Sequence, residues 1–192
     1  MINPAKSVVV ASHGLNLDDF ESDRPWAAAG ARTEAVAGDR WIEGVTVSPL
    51  IPRADARGSL CELLTACDGT IEPIVHVYQV TALSGSIRGW VYHRRQYDRL
   101  AFANGHFRIV LYDIRPNSRT LNLLNVVILG REHPGLLRIP PFVIHGVQNI
   151  GSTTATFVNM PTKAYDPTDP DKCRLPENDP RIPFSFDIGE VS

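Results

Sequence analysis

The sequence predicts an all-β fold, a sandwich or barrel. Three observations carry this reading. From Trp41 onward, short segments rich in β-branched and aromatic residues follow one another closely. Gly and Pro punctuate them. No long amphipathic stretch lies between them to serve as the crossover helix that a parallel α/β sheet needs.

Residues 1–40 are weakly patterned and read as an N-terminal extension, with Asp18-Asp19, Ala27-Ala28-Ala29-Gly30 and Gly38-Asp39. A short helix fits residues 23–37, with Asp23 as its cap and Pro25 in its first turn. Residues 41–192 read as one domain. Residues 74–82 alternate in part and form the first clear strand. Residues 99–115 read as a hairpin, because Asn104-Gly105 suits a type I′ turn, in which both central residues take positive φ. Beyond that turn, Phe107, Ile109, Leu111 and Asp113 alternate with Arg108, Val110, Tyr112 and Ile114. Residues 123–129, 136–139, 144–149 and 154–159 supply further strands. The segment 163–183 is rich in Pro and Asp, which bars it from a central strand. It is expected to pack as an ordered loop across the barrel.

A length of 192 residues suits one domain with a sizeable core. The net charge of −2 gives no electrostatic reason to expect nucleic acid or an anionic membrane as partner. No apolar run approaches the roughly 20 residues that span a bilayer. The first ten residues lack a leader pattern, and the three cysteines (Cys61, Cys67, Cys173) follow no metal spacing. A cytoplasmic protein with ordinary thiols is expected.

Three arginines, Arg57, Arg88 and Arg99, lie in or beside expected strands. An inward guanidinium is costly unless it meets an anion, and its planar fork suits phosphate or carboxylate. The alternative is an internal acidic partner or solvent. His93 and His145 sit on apolar strands, as satisfied core residues or as acid–base groups, since histidine titrates near neutrality. His93, Asp98 and His145 also offer three of the four ligands of a familiar barrel metal site, and three can hold a catalytic zinc. There is neither a Gly-rich phosphate loop nor a Gly-x-Ser-x-Gly nucleophile.

Eight short motifs then occur in a recognisable order. Asp55-Ala56-Arg57-Gly58-Ser59-Leu60-Cys61-Glu62 is followed by Gln79-Val80-Thr81, Ile87-Arg88-Gly89-Trp90 and residues 96–100. After them come Asp113-Ile114-Arg115 with Ser118-Arg119-Thr120, Ile139-Pro140-Pro141 leading to His145-Gly146, Tyr165-Asp166-Pro167 and Asn178-Asp179-Pro180. In this order they resemble the dTDP-4-dehydrorhamnose 3,5-epimerase family over residues 45–186. The resemblance implies a cupin jelly roll that commonly dimerises. It also implies a nucleotide-linked 4-keto-6-deoxysugar as ligand, proton transfer beside the ketone, and no cofactor. Arg57, Glu62, Gln79, Arg88, Gln96 and Arg99 fall on or beside positions that the family uses to hold substrate, and His145 falls on its second active-site histidine.

Two departures stand out. The family's base histidine is Val91 here, and its tyrosine acid is Asn159. Valine carries no proton and an amide donates none at neutral pH. The family's carboxylate partner of the base lies in a segment that this chain is expected to lack. His93, two residues on and on the same strand face as Val91, is the replacement candidate. It resembles the second histidine of the Arg-Gly-Phe-His-Ala-His pattern of related sugar 3,4-ketoisomerases. Tyr97 and Tyr165 remain conceivable acids. Three functions follow: an epimerase or ketoisomerase using His93 and His145 without metal, a sugar-nucleotide-binding cupin with impaired catalysis, or a metal-dependent cupin enzyme.

Overall fold

The strands are short, and several alternate between more and less buried residues, so each of these buries one face. In this computed structural model, which describes residues 40–65 and 72–186, twelve strands follow in chain order. They are β1 (Thr46–Pro49), β2 (Arg53–Asp55), β3 (Gly58–Leu60), β4 (Tyr78–Ala82), β5 (Ile87–His93) and β6 (Asp98–Phe102). Then come β7 (His106–Asp113), β8 (Leu124–Gly130), β9 (Gly135–Ile139), β10 (Val143–Asn149), β11 (Ala155–Asn159) and β12 (Lys172–Arg174). One antiparallel sheet runs β1-β9-β6-β11-β4, a second runs β12-β5-β10-β7-β8, and β2 with β3 forms a separate hairpin. This is an all-β jelly roll, as expected. The proposed N-terminal helix lies outside the described residues.

The core fills the space between the two sheets. Phe107, Ile109 and Leu111 of β7 meet Leu100 and Phe102 of β6, Leu137 of β9 and Phe157 of β11, all buried. Phe102, Phe107 and Phe157 pack with ring centroids 4.9–5.6 Å apart. A second cluster covers the outer face of the β5/β10 sheet: Trp90, Val110 and Ile144 lie under Ile182, Phe184 and Phe186 of the C-terminal segment. Gly146 makes that approach possible, since a Cβ there would stand 2.7 Å from Phe186 Cζ and 3.1 Å from Trp90 Cε3.

Two expectations need correction. Residues 99–115 do not form a hairpin. β6 pairs with β9 and β11, whereas β7 pairs with β8 and β10. The Asn104-Gly105 turn therefore carries the chain from one sheet to the other. Only Gly105 of the two takes positive φ (71°), so the turn is not type I′. The tail is ordered and crosses the barrel as expected, but it also contributes β12, an edge strand on β5. Its prolines flank that strand and do not interrupt it.

The Asp113-Ile114-Arg115 and Ser118-Arg119-Thr120 motif proves architectural. Asp113 is fully buried and accepts hydrogen bonds from Arg115, Ser118 and Thr120 at 2.6–2.8 Å. Burial opposes its charge, but these donors outweigh burial and hold its carboxyl below the usual range.

Candidate active site

One end of the sandwich is apolar and the other is polar. The polar end is built by six strands, each adding one or two side chains. β5 ends on His93, which is buried along with Val91, while Tyr92 between them turns outward and stacks on Phe142. β6 starts at Asp98, β10 carries His145, β11 ends at Asn159 and β4 starts at Tyr78. The edge strand β12 adds Lys172, the register partner of His93.

His93, Asp98 and His145 form the centre. Both histidine Nε2 atoms lie 3.3 Å from Asp98 Oδ2, and the two rings stack at 6.1 Å. Gln96 donates to Asp98 Oδ1 at 2.8 Å. Burial opposes charge on Asp98, but His145 and His93 outweigh it and hold its carboxyl well below the usual aspartate range. His145 Nδ1 meets the Val143 carbonyl at 3.2 Å. On its far side His93 Nδ1 lies 3.6 Å from Asp171 Oδ2. Asp171 is fixed in turn by the backbone N–H groups of Arg94, Arg95 and Gln96 at 3.1–3.2 Å. Despite the two nearby carboxylates, neither His93 nitrogen completes an aligned hydrogen bond. Buried polar atoms are rarely left so.

His93 opens on a cavity of about 500 Å³. Tyr78, Gln96, Tyr165, Lys172 and Arg174 share its walls. Burial pushes the Lys172 ammonium below the usual lysine range, with Asp98 opposing the shift and Arg174 and Arg88 adding to it. Lys172 and Arg174 have no ion-pair partner among the described residues. Two cations unpaired at a cavity wall suit an anionic ligand. The cavity therefore sets cations that can hold phosphate beside the His93 ring, whose two nitrogens are themselves buried.

The residues expected from sequence divide clearly. His93 reaches the cavity. Gln96 reaches it too, though its amide serves Asp98. His145 is buried behind Asp98 and does not line the cavity, so it bears on the site through that carboxylate. The three arginines do not gather around one hollow. Arg57 is exposed in the β2–β3 turn and pairs with Asp55 at 2.6 Å. Arg99 is buried, but its guanidinium faces the backbone carbonyls of Met160, Glu72 and Pro73 at 2.6–3.3 Å. Arg88 is exposed and donates to the Thr81 carbonyl at 2.9 Å, close enough for its charge to act on Tyr78 and Lys172. Glu62 and Gln79 are exposed, and Gln79 faces away from its neighbour Tyr78. Tyr97 lies under the Arg138 guanidinium at 3.7 Å. Sequence reasoning missed Tyr78, Asp171, Lys172 and Arg174. The β-type run before Ala82 could have flagged Tyr78. The other three sit in a Pro/Asp-rich tail that carries no strand signal.

His93, Asp98 and His145 are also the groups that could hold a metal ion, their ligand atoms all lying within 4.8 Å of one another. Two imidazoles and a carboxylate would suit zinc or ferrous iron.

Residues 53–173 match the family model of the polysaccharide biosynthesis C-terminal domain. The chain belongs to this family. It is 34% identical over 145 residues to the spore coat polysaccharide biosynthesis protein SpsL of Bacillus subtilis, covering 76% of this chain and 96% of SpsL. It is 33% identical over 138 residues to the probable low-salt glycan biosynthesis epimerase Agl13 of Haloferax volcanii, covering 70% of this chain and 88% of Agl13. Among solved structures, the dTDP sugar isomerase of Desulfovibrio desulfuricans G20 superposes with a TM-score of 0.73 at 28% identity, over 78% of this chain and 95% of that one. Solved dTDP-4-dehydrorhamnose 3,5-epimerases share the fold. The family member described here is thus a divergent relative of those cupin epimerases, as the ordered motifs implied.

Proposed function

We propose that the chain is a sugar-nucleotide epimerase or ketoisomerase that acts on a dTDP-4-keto-6-deoxysugar by proton transfer next to the ketone. The observation that carries this reading is the buried His93 ring, set against Asp98 with both nitrogens unsatisfied, in the wall of a cavity with cationic neighbours. His93 takes the proton from the carbon beside the C4 ketone. The C–H electrons move onto the ketone oxygen as an enolate, and a proton then returns to carbon. Asp98 and Asp171 orient the imidazole, and His145 positions Asp98. Lys172 and Arg174, with Arg88 at the edge, hold the diphosphate.

The names of the relatives and of the similar isomerase support the substrate class. We further propose a cytoplasmic homodimer. The free thiols of Cys61 and Cys173 fit a reducing compartment. Exposed apolar residues concentrate at Ile74, Val75, Val77 and Leu83, just before and after the edge strand β4. No helix among the described residues is long and apolar enough to cross a membrane.

The test is solvent deuterium wash-in. With dTDP-4-keto-6-deoxyglucose in D₂O, the protein incorporates deuterium beside C4, and His93→Ala lowers the rate by about 10²–10⁴-fold. Absence of wild-type incorporation at high protein concentration removes the enzyme reading. Measurable binding without exchange would leave a sugar-nucleotide-binding cupin.

A further inference from the structure

We infer that Tyr78 is the group that returns the proton, from the wall opposite His93, so that the reaction inverts a stereocentre and does not move the carbonyl. This rests on the proton-transfer reading above and deepens it.

Three observations lead here. First, Tyr78 and His93 line the same cavity but belong to different sheets, Tyr78 to the sheet ending in β4 and His93 to the sheet containing β5. The cavity they share, about 500 Å³, has room for one sugar ring. Second, the Tyr78 hydroxyl is held. Asn159, its register partner on β11, donates from Nδ2 to the Tyr78 oxygen at 2.8 Å. Asn159 is buried, and its own Oδ1 has no partner. Because the amide donates in this contact, the phenol accepts, and its own proton is left to point elsewhere. Third, burial and the charge of Asp98 push the Tyr78 hydroxyl above the ordinary phenol range, while the Asn159 hydrogen bond partly offsets them. Tyr78 therefore carries its proton at neutral pH, the state a proton donor needs.

The steps balance. His93 removes the proton from one face, and the C–H pair becomes the enolate. Tyr78 then gives its O–H proton to the same carbon from the other face. The phenolate left behind takes a proton from solvent through the cavity mouth, and His93 gives its proton to solvent. A single proton carrier on one wall would exchange that hydrogen without inverting the centre.

The experiment separates exchange from inversion. Wild-type protein and Tyr78→Phe are incubated with dTDP-4-keto-6-deoxyglucose in D₂O. Mass spectrometry gives deuterium uptake, and NMR gives the configuration. Tyr78→Phe is expected to keep deuterium uptake within a few-fold of wild type while epimer formation falls by about 10²–10⁴-fold. Asn159→Leu, which leaves the phenol but removes its anchor, is expected to lower the inversion-to-exchange ratio by roughly tenfold at unchanged KM. A Tyr78→Phe protein that inverts at the wild-type ratio overturns the assignment. So does one that loses uptake and inversion equally, because Tyr78 would then serve binding or folding. A wild type that exchanges and shifts the carbonyl without inverting overturns the inference and leaves the proton-transfer reading standing. A wild type with no uptake overturns that reading itself.

Discussion

Replacing Asp98 by Asn gives the sharpest test of the site's electrostatics. The carboxylate is buried and faces donors on three sides: Gln96 Nε2 at 2.8 Å, and His93 Nε2 and His145 Nε2 at 3.3 Å each. Lys172 on β12 and Tyr78 on β4 also feel its charge. Asparagine fits the same space but keeps one acceptor oxygen and turns the other into a donor. Both imidazoles contact Oδ2 and Gln96 contacts Oδ1, so the new N–H group faces either the two histidines or the Gln96 amide. Hydrogen bonds to a charged group are worth about 1.5–3 kcal/mol, and removing one partner from a buried ion pair costs about 3–5 kcal/mol. The new amide recovers part of this, so we expect about 3 kcal/mol of lost stability at pH 7. That is roughly 6–12 °C in Tm for a chain of this length. The sign of the pH dependence follows from the carboxyl being held below its usual value in the fold. Its stabilisation is fully present above about pH 4, the unfolded value, and is lost as pH falls through the folded value. The gap between wild type and Asp98→Asn should therefore be widest at pH 5–7 and close toward about pH 2. His93 and His145 lose their carboxylate partner in the variant, so the gap reports Asp98 together with the groups it bridges. Urea melts at several pH values measure it. An equal gap at pH 3 and pH 7, or no gap at pH 7, refutes the bridging carboxylate.

Two further outcomes are expected. Protein purified without a histidine tag and treated with EDTA carries no stoichiometric metal and keeps its deuterium uptake. Uptake lost on chelation and restored by zinc or ferrous iron would make His93, Asp98 and His145 ligands instead. In sedimentation equilibrium the wild type runs as a dimer, and Val77→Glu with Leu83→Glu shifts it to monomer by charging the apolar surface beside β4. A monomeric wild type at micromolar concentration would remove the dimer.

What was legible in the sequence follows from the range of each interaction. β7 was readable because its alternation is local: Phe107, Ile109, Leu111 and Asp113 all turn inward. His93 was found for the same reason, by counting two residues along a strand from Val91. The hairpin failed because Asn104-Gly105 specifies a tight turn but not the partner strand, and here the flanking strands join different sheets. Arg99 was legible as an inward arginine. Its neighbours are backbone carbonyls 26–61 residues away, which no residue pattern encodes. Tyr78 meets Asn159 across 81 residues. Asp171 reaches Arg94 across 77. Such pairs exist only once the sheets have closed.

The changes at this site are mutually consistent in space. In the proposed reading the base stands at position 93, where the resembled family has it at 91, one full pleat or about 6.6–6.8 Å along β5. If Tyr78 is the donor, it has moved from position 159 to the adjacent strand, about 4.7–4.9 Å across the sheet. In the same reading the cations differ as well, since Arg99 is occupied with carbonyls while Lys172 and Arg174 on β12 have no ion-pair partner among the described residues. A one-sided change would have separated base from donor and stranded the ring between them. Here the new base ends β5 and the new cations sit on the strand paired with that end, Lys172 in register with His93. A sugar ring seated between His93 and Tyr78 then lies nearer β12, and its diphosphate meets ammonium and guanidinium groups without reaching for Arg99. Retention of substrate binding by Arg99→Met, alongside its loss in Arg174→Met, is the pattern this geometry requires.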